Sequence, residues 1–343
     1  MIKTVHVYII AEAGVNHNGD IQKAIELIEA ANQAGADAVK FQSFNADKLV
    51  SKSAKKAKYQ SENMGGSDNS QYNMLKSLEL SEEDHSTLIK ECEKRGIQFL
   101  STAFDADGID FLSNLGLPVF KSPSGEITNY PFLKRLAKNG KPVILSTGMA
   151  HMEEVKAAVQ VLTNHGLDKK DITVLHCNTE YPTPMEDVNL KAMNTIRDEL
   201  GVEVGYSDHT LGIEVPIAAV ALGAKIIEKH FTLDRNLPGP DHRASLEPGE
   251  LKDMVLAIRN IEQAISGIGK KEPSESEKKN IKIARKSIHT LKPLKKGHII
   301  SEVDIIPLRP ANGISPMKWN EVIGKKVIRD LKENEMLTDQ DIA

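Results

Sequence analysis

Eight short runs rich in β-branched and aromatic residues alternate with helix-length amphipathic stretches, from the amino terminus to about residue 270. The runs are VYIIAEAG (7–14), AVKFQSF (38–44), IQFLSTAF (97–104), VFKSPSGE (119–126), KPVILSTG (141–148), ITVLHCN (172–178), VEVGYSDH (202–209) and KIIEKHFT (225–232). Between them, stretches such as 22–35, 81–96 and 151–166 repeat apolar residues at helical spacing. Several close on glycine, which tolerates the left-handed backbone that ends a helix. Strand–helix alternation repeated eight times predicts an α/β chain whose parallel strands close into a TIM (β/α)8 barrel. An open doubly wound sheet is the alternative, but no GxGxxG fingerprint follows the first run.

The alternation ends near residue 268, so residues 1–268 are expected to form the barrel domain. Residues 269–283, within a cluster of Gly, Pro, Ser and charged residues, read as a linker. Residues 284–343 carry short apolar pieces broken by KKG, RPANGISP and KEN, the pattern of brief strands and turns. A unit of about 60 residues buries little surface and is expected to lean on another one. One connection within the barrel is abnormal: residues 45–80 are polar and rich in Gly, Ser and Asn. It would sit on the catalytic face, as a lid or as a plain solvated insertion.

Charge excludes some functions. With 44 basic and 48 acidic residues the net charge is −4, which argues against bulk electrostatic binding to nucleic acid or an anionic membrane. Cys92 and Cys177 can form neither a disulfide framework nor a zinc cage. No apolar run approaches the roughly 20 residues a bilayer requires. The opening MIKTVHVYIIAEAG has too short an apolar core for a signal peptide and reads as a first strand, so a cytoplasmic setting is expected.

In a parallel barrel, catalytic side chains project from the carboxyl ends of the strands. All eight ends here are polar: Glu12; Lys40 and Gln42; Ser101 and Thr102; Lys121, Ser124 and Glu126; Ser146 and Thr147; His176, Asn178 and Thr179; Ser207, Asp208 and His209; Glu228 and His230. A barrel needs only apolar filling, so such a ring implies an enzyme acting on a polar substrate. His209 and His230 end adjacent strands, about 4.8 Å apart by backbone spacing. Two imidazoles there can share a divalent metal completed by oxygen ligands, which suits Mn²⁺, Mg²⁺ or Co²⁺; two hydrogen-bonded histidines are the other reading. His6, His85, His151, His165 and His298 are read as solvated. Lys40 and Lys121, with Ser124, Ser146 and Ser207, form a cradle for a ligand bearing phosphate and carboxylate. Either lysine could instead form a Schiff base, as in an aldolase.

Ten segments, in order, resemble the bacterial sialic acid (nonulosonic acid) synthases. They are AEAGVNHNGD (11–20), VKFQSF (39–44), LSTAFD (100–105), KSPSGEITNYP (121–131), ILSTGM (144–149), HCNTEYPTP (176–184), GYSDHTLG (205–212), EKHFTLD (228–234), GPDH (239–242) and RPANGISP (309–316). The last 60 residues resemble that family's antifreeze-like (SAF, β-clip) domain. The resemblance implies a domain-swapped homodimer that condenses phosphoenolpyruvate with an N-acyl mannosamine. It implies that His209 and His230 bind the metal, commonly Mn²⁺, and that Lys40 and Thr102 hold the phosphoenolpyruvate carboxylate. Lys121, Ser124, Ser146 and Ser207, assisted by Thr179, would hold its phosphate. Gln42, Tyr181, Asp241 and the partner's Arg309 would contact the sugar, with Glu12 and Glu126 as acid/base groups and Glu126 stabilising the cation or guiding water.

Two rival enzymes remain at this point: a synthase acting on a phosphorylated aldose, for which Arg235 and His242 are the available basic groups, and the Schiff-base aldolase. A non-catalytic carbohydrate- or ice-binding protein built on the last domain would need neither the polar ring nor the histidine pair. The sugar is N-acetylmannosamine or a 2,4-diacetamido-6-deoxymannose, and HTLGIEVPIAAVALGA (209–224) is more similar to members that use the second, the legionaminate-type synthases.

Overall fold

The structure is a computed structural model that describes residues 6–64 and 68–343, so the first five residues of the opening segment and the Gly-Gly-Ser within the long connection lie outside the described residues. Eight strands form a closed, all-parallel barrel in sequence order, with the first paired to the last. They are β1 (Tyr8–Gly14), β2 (Ala38–Ser43), β3 (Gln98–Ala103), β4 (Phe120–Ser122), β5 (Val143–Ser146), β6 (Ile172–Cys177), β7 (Glu203–Asp208) and β8 (Ile226–His230). Each expected run contains one of them.

Two-residue periodicity places the site. Ile10, Ala38, Leu100, Val119, Ile144, Leu175 and Ile226 pack with Tyr8 as an apolar floor inside the barrel. Two residues further along the same strands, hence on the same face, stand Glu12, Lys40, Thr102, Lys121, Ser146, Cys177 and Glu228. β7 fits the scheme with Gly205 below Ser207. A Cβ at Gly205 would lie 2.3 Å from the Ile226 carbonyl oxygen and 2.6 Å from Leu175 Cδ2, so no larger residue fits there. The outward faces of the strands pack on the surrounding helices in a separate, larger core. Those helices carry ordinary end signals: Asp20 caps Ile21–Ala34, and Gly35 ends it at φ 83°.

The long connection is not featureless. It folds into helices Ala46–Leu49, Lys58–Met64 and Gln71–Leu78. Ser70 caps the last, and Met74 and Leu78 pack with Val15.

The chain divides after Ser266 into two compact units. The second has its own core of Ile288, Leu294, Ile300, Ile305, Ile314, Val322, Val327, Leu331 and Leu337. Its strands β9 (Ser287–Thr290) and β10 (Ile305–Leu308) pair antiparallel. The linker reading of 269–283 needs correction, because Glu275–Ala284 is a helix. Its signal is a capping box, with Ser274 and Glu277 satisfying each other's backbone N–H; the charged composition concealed it.

Candidate active site

A cavity of about 400 Å³ opens above the polar layer of the barrel. Fourteen of the fifteen residues to which the resemblance gives a role line it: Glu12, Lys40, Gln42, Thr102, Lys121, Ser124, Glu126, Ser146, Thr179, Tyr181, Ser207, His209, His230 and Asp241. The fifteenth, Arg309, belongs to the second unit, where it is exposed and its Nε donates to the Ala284 carbonyl at 2.8 Å.

The charged centre is a four-membered cluster. Lys40 Nζ lies 2.6 Å from Glu12 Oε2 and 3.7 Å from Glu228 Oε2, and donates to Thr102 Oγ1 at 2.9 Å. Lys121 Nζ lies 3.3 Å from Glu228 Oε1, which also accepts from Ser207 Oγ at 3.0 Å. All four charged side chains are buried, so each charge depends on its neighbours. Burial opposes the charge on Lys40, but the carboxylates of Glu12 and Glu228 outweigh it and raise its pKa. At Lys121 burial wins and the pKa falls, although Glu228 opposes the shift. Glu12 is pushed up by burial despite Lys40. Burial pushes Glu228 the same way, but Lys121 and Lys40 together hold it well below the usual carboxylate range.

Glu228 was visible in the sequence as a polar strand end without a role, yet it is the carboxylate that joins both lysines. Glu126 stands elsewhere, half-buried in the turn Ser124–Glu126, accepting from Asn129 Nδ2 at 2.5 Å. Beside that turn, Ser124 Oγ accepts from the Gly148 N–H at 3.0 Å. A Cβ at Gly148 would come within 2.5 Å of the Thr179 methyl and 2.8 Å of Ser124 Oγ, so this glycine lets both side chains approach. Ser146 Oγ is buried without a hydrogen-bond partner among the described residues, a donor left for a ligand.

The histidine pair closes the other side, its ring centroids 5.3 Å apart. His209 Nδ1 bonds to the Asn178 carbonyl, which can only accept, so Nδ1 carries the proton. Nε2 is then an acceptor, and Tyr181 donates its hydroxyl to it at 3.0 Å. Burial lowers the His209 pKa to about 4 and that of His230 well below the ordinary 6.5, keeping both rings neutral, the form that ligates metals. His230 Nδ1 is buried with no partner among the described residues. The orphaned nitrogen of His230, and His209 Nε2 once the Tyr181 hydroxyl turns from it, fit a divalent cation with two protein nitrogens. No larger His, Cys, Asp or Glu cluster suited to a metal occurs among the described residues. Asp241, also buried, has its carboxyl raised to about 7 by burial alone.

Behind the cavity wall, Lys229 and Asp208 point away from the lumen, form a fully buried ion pair and link β7 to β8 directly beside Ser207 and Glu228. Lys229 also donates to the Thr210 carbonyl. His176 likewise faces outward, bonding the Val188 carbonyl at 3.0 Å.

Burial corrects one reading and removes one of the two alternatives left open for another. His85 is 2% exposed and bonded to Ser43 Oγ at 2.6 Å and to the Ser81 carbonyl, so it is a core histidine rather than a solvated one. The 45–80 connection forms part of the cavity wall: Tyr59 stacks on Tyr181 at 5.2 Å between centroids, and Asn63 donates to the Pro240 carbonyl at 2.6 Å. Its polar sequence held no sign of this beyond its length.

A closed parallel barrel whose strand ends gather two lysines, two carboxylates and two neutral imidazoles defines a (β/α)8 enzyme site for a small anion. The chain belongs to the NeuB family, whose model matches residues 27–271, and a SAF domain follows at 285–343. It is 53% identical over 331 residues, 96% of this chain and 98% of the relative, to an N,N'-diacetyllegionaminic acid synthase of Campylobacter jejuni subsp. jejuni. A protein of the same description from Legionella pneumophila is 51% identical over 94% of this chain and 91% of its own length. Among solved structures, an N-acetylneuraminic acid synthetase of Leptospira borgpetersenii in complex with citrate is 36% identical and superposes with a TM-score of 0.71, covering 80% of this chain and 90% of that one.

Proposed function

We propose that the protein condenses phosphoenolpyruvate with 2,4-diacetamido-2,4,6-trideoxymannose to give N,N'-diacetyllegionaminate and inorganic phosphate. The observation that carries the reaction is the Lys40–Glu12–Glu228–Lys121 cluster ringed by Thr102, Ser124, Ser146 and Ser207. The two relatives of highest identity above carry the choice of sugar.

In this reading Lys121, Ser124, Ser146 and Ser207, with Thr179, bind the phosphate, and Lys40 with Thr102 binds the carboxylate. His209 and His230 would hold a divalent cation, Mn²⁺ or alternatively Mg²⁺ or Co²⁺, which when bound supplies Lewis acidity to the sugar's aldehyde oxygen. The methylene carbon of phosphoenolpyruvate attacks the aldehyde carbon, and positive charge develops at the enol carbon. Glu228, held ionised by both lysines, lies where it can stabilise that charge, while Glu126 stands at the turn and is a poorer candidate. Water adds at the same carbon, Glu12 takes its proton, and phosphate leaves with the bridging oxygen, leaving a 2-keto acid. Gln42, Tyr181 and Asp241 orient the sugar.

A phosphorylated sugar is a weaker reading, because among the described residues the cations lining the cavity are Lys40 and Lys121 alone, both engaged with carboxylates. Arg235 is committed to Glu250 and the Ser245 carbonyl, and His242 is fully buried. The proposal is tested by measuring phosphate release with each candidate sugar, with and without EDTA; release without a sugar-derived keto acid would defeat it.

The reading includes a cytoplasmic, domain-swapped homodimer in which Arg309 serves the partner's site. Mixing a His209→Ala chain, whose own barrel should be inactive, with an Arg309→Ala chain tests this. Regained activity in heterodimers supports it, and a mixture as inactive as its parents contradicts it.

A further inference from the structure

The cavity has two chemically different ends. The strand ends furnish the charged one. The other is furnished by the 45–80 connection and the residues following β2 and β3: Phe44, Leu49, Val50, Leu75 and Phe104, each half-buried and each lining the cavity. Phe44 and Phe104 meet edge to face, 6.0 Å between centroids. Met74 and Leu78, 4% exposed, also line the cavity, and Phe44 and Leu75 pack against them. The connection also brings Tyr59, Gln60 and Gln71 to the cavity, and among the described residues none that it contributes is charged.

Phosphoenolpyruvate has no use for such a wall. It carries a carboxylate and a phosphate, both costly to bury against apolar groups, and its methylene must face the aldehyde. The sugar is the remaining occupant, and its substituents differ between the candidates. N-Acetylmannosamine ends in hydroxyls at C4 and C6, and the five apolar side chains themselves offer those hydroxyls no hydrogen-bond partner in place of water. The diacetamido sugar carries an acetamido group at C4 and a methyl at C6, which offer apolar surface and one amide.

We infer that the wall formed by Phe44, Leu49, Val50, Leu75 and Phe104 receives the methyl-bearing end of the sugar and makes the protein prefer the 6-deoxy, 4-acetamido substrate over its hydroxylated counterpart. The inference rests on the synthase reading above. It turns the long connection from a cover into a specificity element. One methyl group in a hydrophobic pocket is worth roughly 10- to 200-fold in discrimination.

The experiment measures kcat/KM for both sugars at saturating phosphoenolpyruvate, in the wild type and in Val50→Thr and Leu75→Gln. Val50→Thr keeps the shape and adds a hydroxyl; Leu75→Gln keeps a good helix former. Thermal unfolding of each variant checks that it is folded. The wild type should prefer the diacetamido sugar, and the preference should shrink about ten-fold in each variant through loss of activity on that sugar. An unchanged ratio in folded variants, with the wild type active on the diacetamido sugar, overturns the wall's role and leaves the synthase reading standing. No turnover of either sugar by the wild type overturns the synthase reading, and this inference with it.

Discussion

Lys121→Met removes a charge while keeping most of the side chain's volume. The lysine is 6% exposed, and its ammonium lies 3.3 Å from Glu228. In the proposed complex it donates a charge-assisted hydrogen bond to the phosphate of phosphoenolpyruvate. Such bonds contribute about 1.5–3 kcal/mol, so at about 1.4 kcal/mol per decade the affinity should fall roughly ten- to a hundred-fold. The variant also leaves Glu228 opposed by one ammonium instead of two, which works in the same direction against an anion. Glu228 retains Ser207 and Lys40, so the stability cost should fall at or below the lower end of the roughly 3–5 kcal/mol typical of a broken buried pair. Steady-state phosphate release separates these effects: KM for phosphoenolpyruvate should rise at saturating sugar, with KM for the sugar changed little. A normal KM for phosphoenolpyruvate in a folded variant would refute the placement of the phosphate. Borohydride trapping of a pyruvyl adduct on Lys40 or Lys121 of the wild type would refute the mechanism itself and favour Schiff-base chemistry, for which the depressed pKa of Lys121 is suited.

Removing the metal with EDTA, or replacing His209 or His230 by alanine, should abolish condensation without unfolding the protein; normal turnover by either variant in EDTA-treated buffer would exclude the histidine pair as the metal site. Lys229→Met should destabilise the fold by about 3–5 kcal/mol, because it leaves the buried Asp208 carboxylate with only the neutral donors of Thr210 and no counter-charge, and the added change Asp208→Leu should recover much of the loss in a denaturant titration. Burial raises the Asp241 carboxyl to about 7 from the 3.8 of an exposed aspartate, so the folded state holds that proton more tightly than the unfolded chain. Its contribution to stability is full below pH 3.8 and lost as the pH rises through about 7. The stability of the wild type relative to Asp241→Asn should therefore decline across that window; a flat difference would contradict it.

The sequence disclosed the barrel because period-two strands keep their identity whatever packs around them. Lys40 and Gln42 on alternate positions already announced a lumen-facing row, and Glu12, Lys121, Ser207 and Glu228 follow the same rule from the apolar floor upward. What the sequence could not disclose were relations across strands. Glu228 looked like any other polar strand end until the closed barrel set it between two lysines. Lys229 and Asp208 gave no outward sign of pairing, since strand register is not written locally. The 45–80 connection concealed its helices because its few apolar residues, among them Leu49, Met74, Leu75 and Leu78, make sense only against the barrel rim. His85 misled for the same reason: on a mostly polar helix it shares the inward face with Leu88 and Cys92. In the second unit, Ser274 and Glu277 show that a capping box outweighs a composition that otherwise reads as linker.

The synthase reading stands or falls on which bond of phosphoenolpyruvate breaks. Incubating the metal-loaded protein with 2,4-diacetamido-2,4,6-trideoxymannose and phosphoenolpyruvate carrying ¹⁸O in the bridging position, then analysing both products by mass spectrometry, reads this directly. Cleavage between carbon and oxygen predicts that the label leaves in inorganic phosphate, in step with a 2-keto acid of nine-carbon backbone formed from one molecule of each substrate. Unlabelled phosphate, or phosphate released without that keto acid, would contradict the account.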